Sequence, residues 1–178
     1  VQIFRRGGFY FVYVWAFLYY LLKFRGQYDT IIDSENGIPF FTPLYTSEKK
    51  FLLIHHVHQE VFRKSLTPPF SWLAEFLEIK LMPFVYKNIQ TITVSQSSKQ
   101  EILDKELTKV EPIIIYNGVD LEKYKPAQKS KIPLVLYVGR LKYYKSLHIF
   151  LHSAKKILEK LPNVKFALAG DGEEKESL

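Results

Sequence analysis

Two short stretches hold the side chains best suited to chemistry. In Tyr137-Val138-Gly139-Arg140-Leu141-Lys142-Tyr143-Tyr144-Lys145 an apolar run ends in a glycine, where backbone can come close to a ligand. Arg140 follows at once and offers a planar fork that fits two phosphate oxygens, while Lys145 offers a mobile point charge. A helix is expected to begin at Lys145, and its first turn would add free amides and a positive dipole end. Together these groups suit a diphosphate. A solvated basic turn is the other reading. No G-x-G-x-x-G follows any apolar run, so this is not a dinucleotide fingerprint.

The second stretch is His55-His56-Val57-His58. In a strand His55 and Val57 share one face and His56 takes the other, so the imidazoles do not converge without a turn. Zinc would need further ligands, and the chain has no Cys to supply them. A polar His at the carboxyl end of a strand, fit for proton transfer or hydrogen bonding in a cleft, stands beside ordinary loop histidines. Gly170-Asp171-Gly172 ends another apolar run and is by itself also a common turn. Asn117-Gly118 resembles a hairpin turn, but Leu-Glu-Lys-Tyr-Lys-Pro follows instead of an alternating strand. Neither G-x-S-x-G nor a phosphate loop G-x-x-x-x-G-K-[ST] occurs, which removes most hydrolase and P-loop readings.

Elements must hold these residues in place. Apolar runs at 28–33, 51–57, 90–95, 112–116, 133–139 and 164–170 read as strands. Neighbouring apolar residues, as in Leu134-Val135-Leu136-Tyr137-Val138, suggest burial on both faces and parallel pairing. Leu147, Phe150, Leu151, Ala154, Ile157, Leu158 and Leu161 make one helical stripe, stopped by Pro162-Asn163. A second helix is expected at Ser98, whose spacing to Glu101 fits a capping box. A third covers 71–87 and kinks at Pro83. Short connections between alternating elements give a doubly wound α/β architecture. Its strand carboxyl ends are where ligands bind: Asp33, His55–His58, Ser95, Asn117-Gly118, Gly139-Arg140 and Gly170–Gly172.

Composition narrows the classes. The 178 residues are 47% hydrophobic and 16% aromatic, which excludes a disordered tail, and the absence of Cys excludes a disulfide scaffold. Net charge is +7, which favours phosphate-bearing ligands or anionic surfaces. A nucleic-acid module would need a basic face with spaced aromatics, and none is found, so no nucleic-acid partner is expected. The apolar stretch 9–22 is too short to span a bilayer. It reads as a buried helix, or as one lying in a membrane interface between Arg5-Arg6 and Lys23/Arg25. The start at Val1 and the finish in an acidic run read as an excerpt of a longer protein.

Taken in order, Ile54-His55-His56-Val57-His58, Thr93-Val94-Ser95, Asn117-Gly118-Val119-Asp120 with Pro126, Gly139-Arg140-Leu141 with Lys145, and Ala169-Gly170-Asp171-Gly172 resemble glycosyltransferase family 4. The resemblance implies a GT-B fold, α/β, with two Rossmann-like domains. Residues 1–121 would be most of the N-terminal, acceptor-side domain, 122–131 a linker, and 132–178 the start of the C-terminal nucleotide-sugar domain. It implies retaining transfer of a sugar from a UDP-, GDP- or ADP-sugar to a glycan or glycolipid acceptor, without metal or other cofactor. His55, Arg140 and Lys145 would be catalytic. Gly139, Arg140, Lys145, Gly170, Asp171 and Gly172 would hold the donor, and His58, Ser95, Asn117 and Gly118 are further cleft candidates.

Three departures stand out. Ser146 stands where the family usually has Gly after the lysine, with little effect expected because a helix can start on Ser. The family's first strand and its Gly-rich loop would precede Val1, and its Glu-x7-Glu motif would follow Leu178. The excerpt alone would then be inactive. A non-catalytic nucleotide-binding or sugar-sensing protein of the same fold is the alternative. The expected location is cytoplasmic, extending to a peripheral place on the inner face of the membrane.

Overall fold

The computed structural model describes residues 1–57 and 67–178, with the backbone alone at Phe9 and Tyr10. His58 lies outside the described residues. The chain divides into two compact units, Val1–Val119 and Asp120–Leu178.

In the first unit four strands, β1 (Thr30–Glu35), β2 (Lys49–Ile54), β3 (Gln90–Thr93) and β4 (Ile113–Ile114), form one sheet in that order. Every pairing is parallel, as the continuous apolar runs imply. Register sets Asp33, Leu52 and Thr91 in one row and Glu35, Ile54 and Thr93 in the next. All six are buried. On this face Leu52 and Ile54 pack with Met82, Tyr86, Ile102 and Leu107 as the core.

Burial on both faces, expected from the sequence, is not what these strands show. Ile32, on the opposite face of β1, is 61% exposed. The side chains alternate across the strand, and only one face is sealed by the core.

Helices follow the expected stretches with shifted ends. α1 (Gly8–Tyr19) continues through a π-helical turn at Tyr20–Phe24. The expectation that this apolar helix is buried fails: Tyr20 is buried, but Phe11 is 65% and Val14 53% exposed. Its contacts come from aromatic edges instead, with Tyr13 against Phe40 and both Phe17 and Tyr20 against Tyr45. The Tyr20 hydroxyl donates to both Glu48 carboxylate oxygens, at 3.0 and 2.8 Å. Backbone amides of Gly26 and Ser47 add to this, and the Glu48 carboxyl is held below its ordinary range, first by its own backbone amide, then by the Tyr20 hydroxyl and these two amides.

α2 (Phe70–Phe76) runs through a π-helical turn (Leu77–Leu81) into α3 (Met82–Tyr86). The irregular turn immediately precedes Pro83, where the missing amide and the ring's clash disrupt the ladder. α4 (Gln96–Asp104) does not start as expected. Its N-cap is Ser95, in extended conformation at the end of β3, and Ser95 Oγ accepts from the Ser98 amide at 3.1 Å. Ser98 is already helical, so the Ser98–Glu101 capping box is not formed. Both serines fit the sequence pattern, and the end of the strand decides between them.

The second unit pairs β5 (Leu134–Val138) with β6 (Lys165–Ala169) in parallel, joined through α5 (Leu147–Lys160). Phe150 of α5 packs against Tyr137 and Phe166. β5 also contradicts the expected two-sided burial. Leu134, Val135, Leu136 and Val138 are all exposed, and only Tyr137, against Phe150, is half-buried. Residues 122–131, the expected linker, are exposed throughout.

Candidate functional site

In the second unit the carboxyl ends of β5 and β6 lie side by side. Pairing continues past both strands: Gly139 N donates to Ala169 O at 3.0 Å, and Leu141 N donates to Asp171 O at 2.9 Å. The approach is so close that a Cβ on Gly170 would stand 1.8 Å from the Gly139 carbonyl oxygen. One on Gly172, whose φ is +158°, would stand 2.2 Å from Leu141 O. Glycine is therefore required here by backbone packing between two loops. Lys142 crosses the same junction to Glu173 at 2.7 Å, and Glu174 N donates to Leu141 O.

Arg140 and Lys145 leave this junction on a short connection. Tyr137 Oη donates to the Arg140 carbonyl at 2.9 Å and fixes the turn from below. The Arg140 guanidinium donates through Nη2 to Tyr144 Oη at 3.2 Å, and Lys145 Nζ lies 5.0 Å from the Tyr144 ring centroid. Both cations thus meet the same tyrosine, Arg140 at its hydroxyl and Lys145 at its ring. Each is exposed, and among the described residues neither has a carboxylate partner in an ion pair. Their charge is open to an anion from solvent.

Lys145 closes a 3-10 turn, Tyr143–Lys145, and the α-helix starts two residues later at Leu147. Between them Ser146 takes a left-handed conformation (φ 55°, ψ 41°) and makes no side-chain cap bond. The substitution is therefore not without structural effect, as the sequence suggested. Ser146 occupies backbone space in which Gly has no Cβ penalty.

The first unit presents a different set. His55 is exposed just past β2, and its carbonyl accepts from Ser98 Oγ at 2.9 Å. Ser95 Oγ meets Ser98 Oγ at 2.9 Å, so Ser98 ties the ends of β2 and β3 together. Sequence reading assigned Ser98 to a cap and missed this role, which depends on which strands are neighbours. Asn117 and Gly118 lie in an exposed, irregular segment after β4.

Asp33 is not an open cleft carboxylate. It is 2% exposed. Its oxygens accept from Phe40 N at 3.0 Å, Thr42 N at 3.1 Å, Thr42 Oγ1 at 2.9 Å and the Tyr86 hydroxyl. Burial first, then the Asp33 charge, pushes the Tyr86 hydroxyl above the ordinary tyrosine range. Among the described residues no group of three or more His, Asp and Glu side chains could hold a metal ion.

The comparisons bear on both units. The family model "Glycosyl transferases group 1" matches residues 119–178. Sulfoquinovosyl transferase SQD2 of Arabidopsis thaliana is 28% identical over 171 residues, covering 86% of this chain and 32% of that protein. An Escherichia coli UDP-Gal:alpha-D-GlcNAc-diphosphoundecaprenol alpha-1,3-galactosyltransferase is 33% identical over 138 residues, covering 68% of this chain and 34% of that protein. The crystal structure of TarM superposes with a TM-score of 0.64 at 21% identity, covering 90% of this chain and 32% of TarM. The chain thus spans about a third of the length of these relatives. Parallel α/β units and the likeness to TarM agree on a GT-B-type fold, and residues 119–178 carry the match to the group 1 glycosyl transferases.

Proposed function

We propose that the full-length protein transfers a sugar from a nucleoside-diphosphate sugar to a lipid-borne glycan acceptor, with retention at the anomeric carbon. The observation that carries this reading is the pair of cations meeting at Tyr144, beside the glycine junction of two parallel strands. Open α/β sheets bind ligands at such strand ends. Residues 132–178 would belong to the donor-binding domain and 1–121 to the acceptor side, with 122–131 between them.

During transfer the anomeric C–O bond breaks and negative charge grows on the departing diphosphate. Arg140 and Lys145 would stabilise that charge more in the transition state than in the bound donor. Gly139 and Gly170–Gly172 would border the nucleotide, and His55 would stand by the donor sugar. His58, Ser95, Asn117 and Gly118 would be further, weaker contributors to the cleft. The cation pair would supply what a metal supplies elsewhere, so transfer should persist in EDTA. The diphosphoundecaprenol in the E. coli relative's name supports a lipid-borne acceptor. So do the exposed apolar face of α1 and the +7 charge, which would place the protein at an anionic membrane surface.

The test is transfer of a radiolabelled sugar by the full-length protein and by its Arg140→Ala form. Loss of one preorganised charge-stabilising donor costs about 3–4 kcal/mol, or roughly 10²–10³ in turnover. Undiminished turnover in Arg140→Ala would remove the clamp from the mechanism.

A further inference from the structure

A cavity of about 420 Å³ lies within the first unit, between α1 with its π-helical turn, the start of β1 and residues 40–48. This volume is in the range of small-molecule sites. Eight of its seventeen lining residues are aromatic, which makes the wall chiefly apolar. Val12, Trp15, Ala16 and Tyr19 line the helical side, and Phe24, in ring contact with Phe4 and Tyr28, continues the aromatic wall.

Both carboxylates in the wall and the Thr42 and Thr46 hydroxyls are already engaged. Asp33 accepts four hydrogen bonds. Glu48 accepts from Tyr20, Gly26 and Ser47. The Thr42 hydroxyl is bound to Asp33, and the Thr46 hydroxyl to the Thr42 carbonyl. A polar occupant would lose its hydration here and gain little in return, whereas a hydrocarbon loses nothing.

The charge is concentrated at one end. Arg6 lines the cavity and is exposed. At Phe4, Arg6 and Val12 the space adjoins a second hollow that includes Arg5. Lys23 Nζ stands 4.3 Å from the Phe4 ring centroid at the same end. The two acids of the wall, Asp33 and Glu48, already accept the bonds given above. An apolar slot with guanidinium groups at its mouth is complementary to a hydrocarbon chain that ends in a phosphate.

We propose that this cavity binds a single alkyl or isoprenyl chain, with its phosphate at Arg5 and Arg6. This rests on the reading of a lipid-borne acceptor and names the site that would hold the lipid. The acyl chain of a membrane phospholipid has the same two parts, and the experiment separates the two sources.

Full-length protein is incubated with dodecyl phosphate bearing a terminal diazirine, irradiated, and mapped by mass spectrometry. The label is expected on Val12, Ala16, Tyr19, Phe24 or Tyr28, displaced by unlabelled dodecyl phosphate and not by inorganic phosphate. Ala16→Phe, which fills the slot, should abolish labelling. Arg6→Glu should weaken dodecyl phosphate about tenfold and dodecanol less than twofold, as loss of a charge-assisted bond requires. If Ala16→Phe does not fold by circular dichroism, Val12→Phe and the exposed Arg6→Glu carry the same test. Label outside the cavity, or label unchanged in the filled variant, overturns the proposal. In a second arm, vesicles of phosphatidylglycerol with a photoactivatable acyl chain should label the exposed Phe11 and Val14 only. Label inside the cavity from those vesicles would assign it to bulk phospholipid and overturn the acceptor assignment. Labelling needs neither nucleotide nor turnover, so a nucleotide-binding assay on the same preparation shows separately whether the transferase reading stands.

Discussion

Asp33→Asn is expected to be among the most damaging single-atom changes in the first unit. Four donors converge on the Asp33 carboxylate, two of them backbone amides that cannot turn away. An asparagine in the same place offers one acceptor oxygen and turns an NH2 group toward donors. With its oxygen in the Oδ2 position it keeps three donors, and the Phe40 amide, which bonded Oδ1, faces the NH2 group in a site that is 2% exposed. One buried unsatisfied donor costs about 1–3 kcal/mol and the three remaining bonds lose the charge that strengthened them, so the change should cost about 2–4 kcal/mol in all. The measurement is urea unfolding of wild type, Asp33→Asn, Tyr86→Phe and the double variant. Tyr86→Phe removes one donor and should cost about 1.5–3 kcal/mol, the range for a bond to a charged group. Because the two residues share one bond, their effects should be sub-additive by at least about 1 kcal/mol. If Asp33→Asn costs less than about 1 kcal/mol, or the two costs simply add, the convergent network does not hold this loop.

Three further outcomes follow from the geometry. Ser146→Gly should stabilise the second unit by about 0.5–1 kcal/mol in urea unfolding, since a left-handed serine costs about 1–2 kcal/mol and glycine's added chain entropy offsets part of that; a destabilised variant would mean that Ser146 holds an interaction outweighing its strain. Gly170→Ala should cost about 2–3 kcal/mol or more, as overpacking against fixed backbone does, and should open the 139–142 and 170–174 loops to protease; unchanged cleavage would contradict their close approach. Above pH 10 the first unit should lose stability, read as a falling urea midpoint. There the unfolded tyrosines ionise, while native Tyr45, pushed up to about 12, and Tyr86, higher still, keep their protons. The unfolded state then binds fewer protons than the native one, and the slope is about 1.4 kcal/mol per pH unit for each tyrosine so held. A midpoint flat from pH 10 to 12 would show that these hydroxyls are free to ionise.

Much of the fold was legible because parallel strands and amphipathic helices write their periods directly into sequence. All six strands fall within three residues of their expected ends, and α5 follows its apolar stripe. What could not be read depends on which distant residues meet. Asp33 looked like an open carboxylate at a strand end until Tyr86 and Thr42 closed over it. Ser95 and Ser98 both satisfy a capping pattern, and only the end of β3 chooses Ser95.

The same division holds in the candidate site. Arg140 and Lys145 were identifiable from residue type and spacing alone. That Tyr144, and not the adjacent Tyr143, receives both cations is a matter of local turn geometry. That Gly170 must be glycine because of Gly139 follows only from the pairing of β5 with β6. The exposure of α1 and of β5 was likewise hidden, since an apolar run reports a need for burial and not the partner that meets it.

The most direct test of the central claim is thermal unfolding of the full-length protein with UDP, GDP and ADP, for wild type and Arg140→Ala. Ligand at 100 times its dissociation constant adds about 2.7 kcal/mol, which shifts the midpoint measurably. One nucleoside diphosphate should raise the wild-type midpoint, and Arg140→Ala should lose that shift while unfolding normally without ligand. No shift with any of the three, or a shift that survives Arg140→Ala, would contradict a diphosphate held at this site.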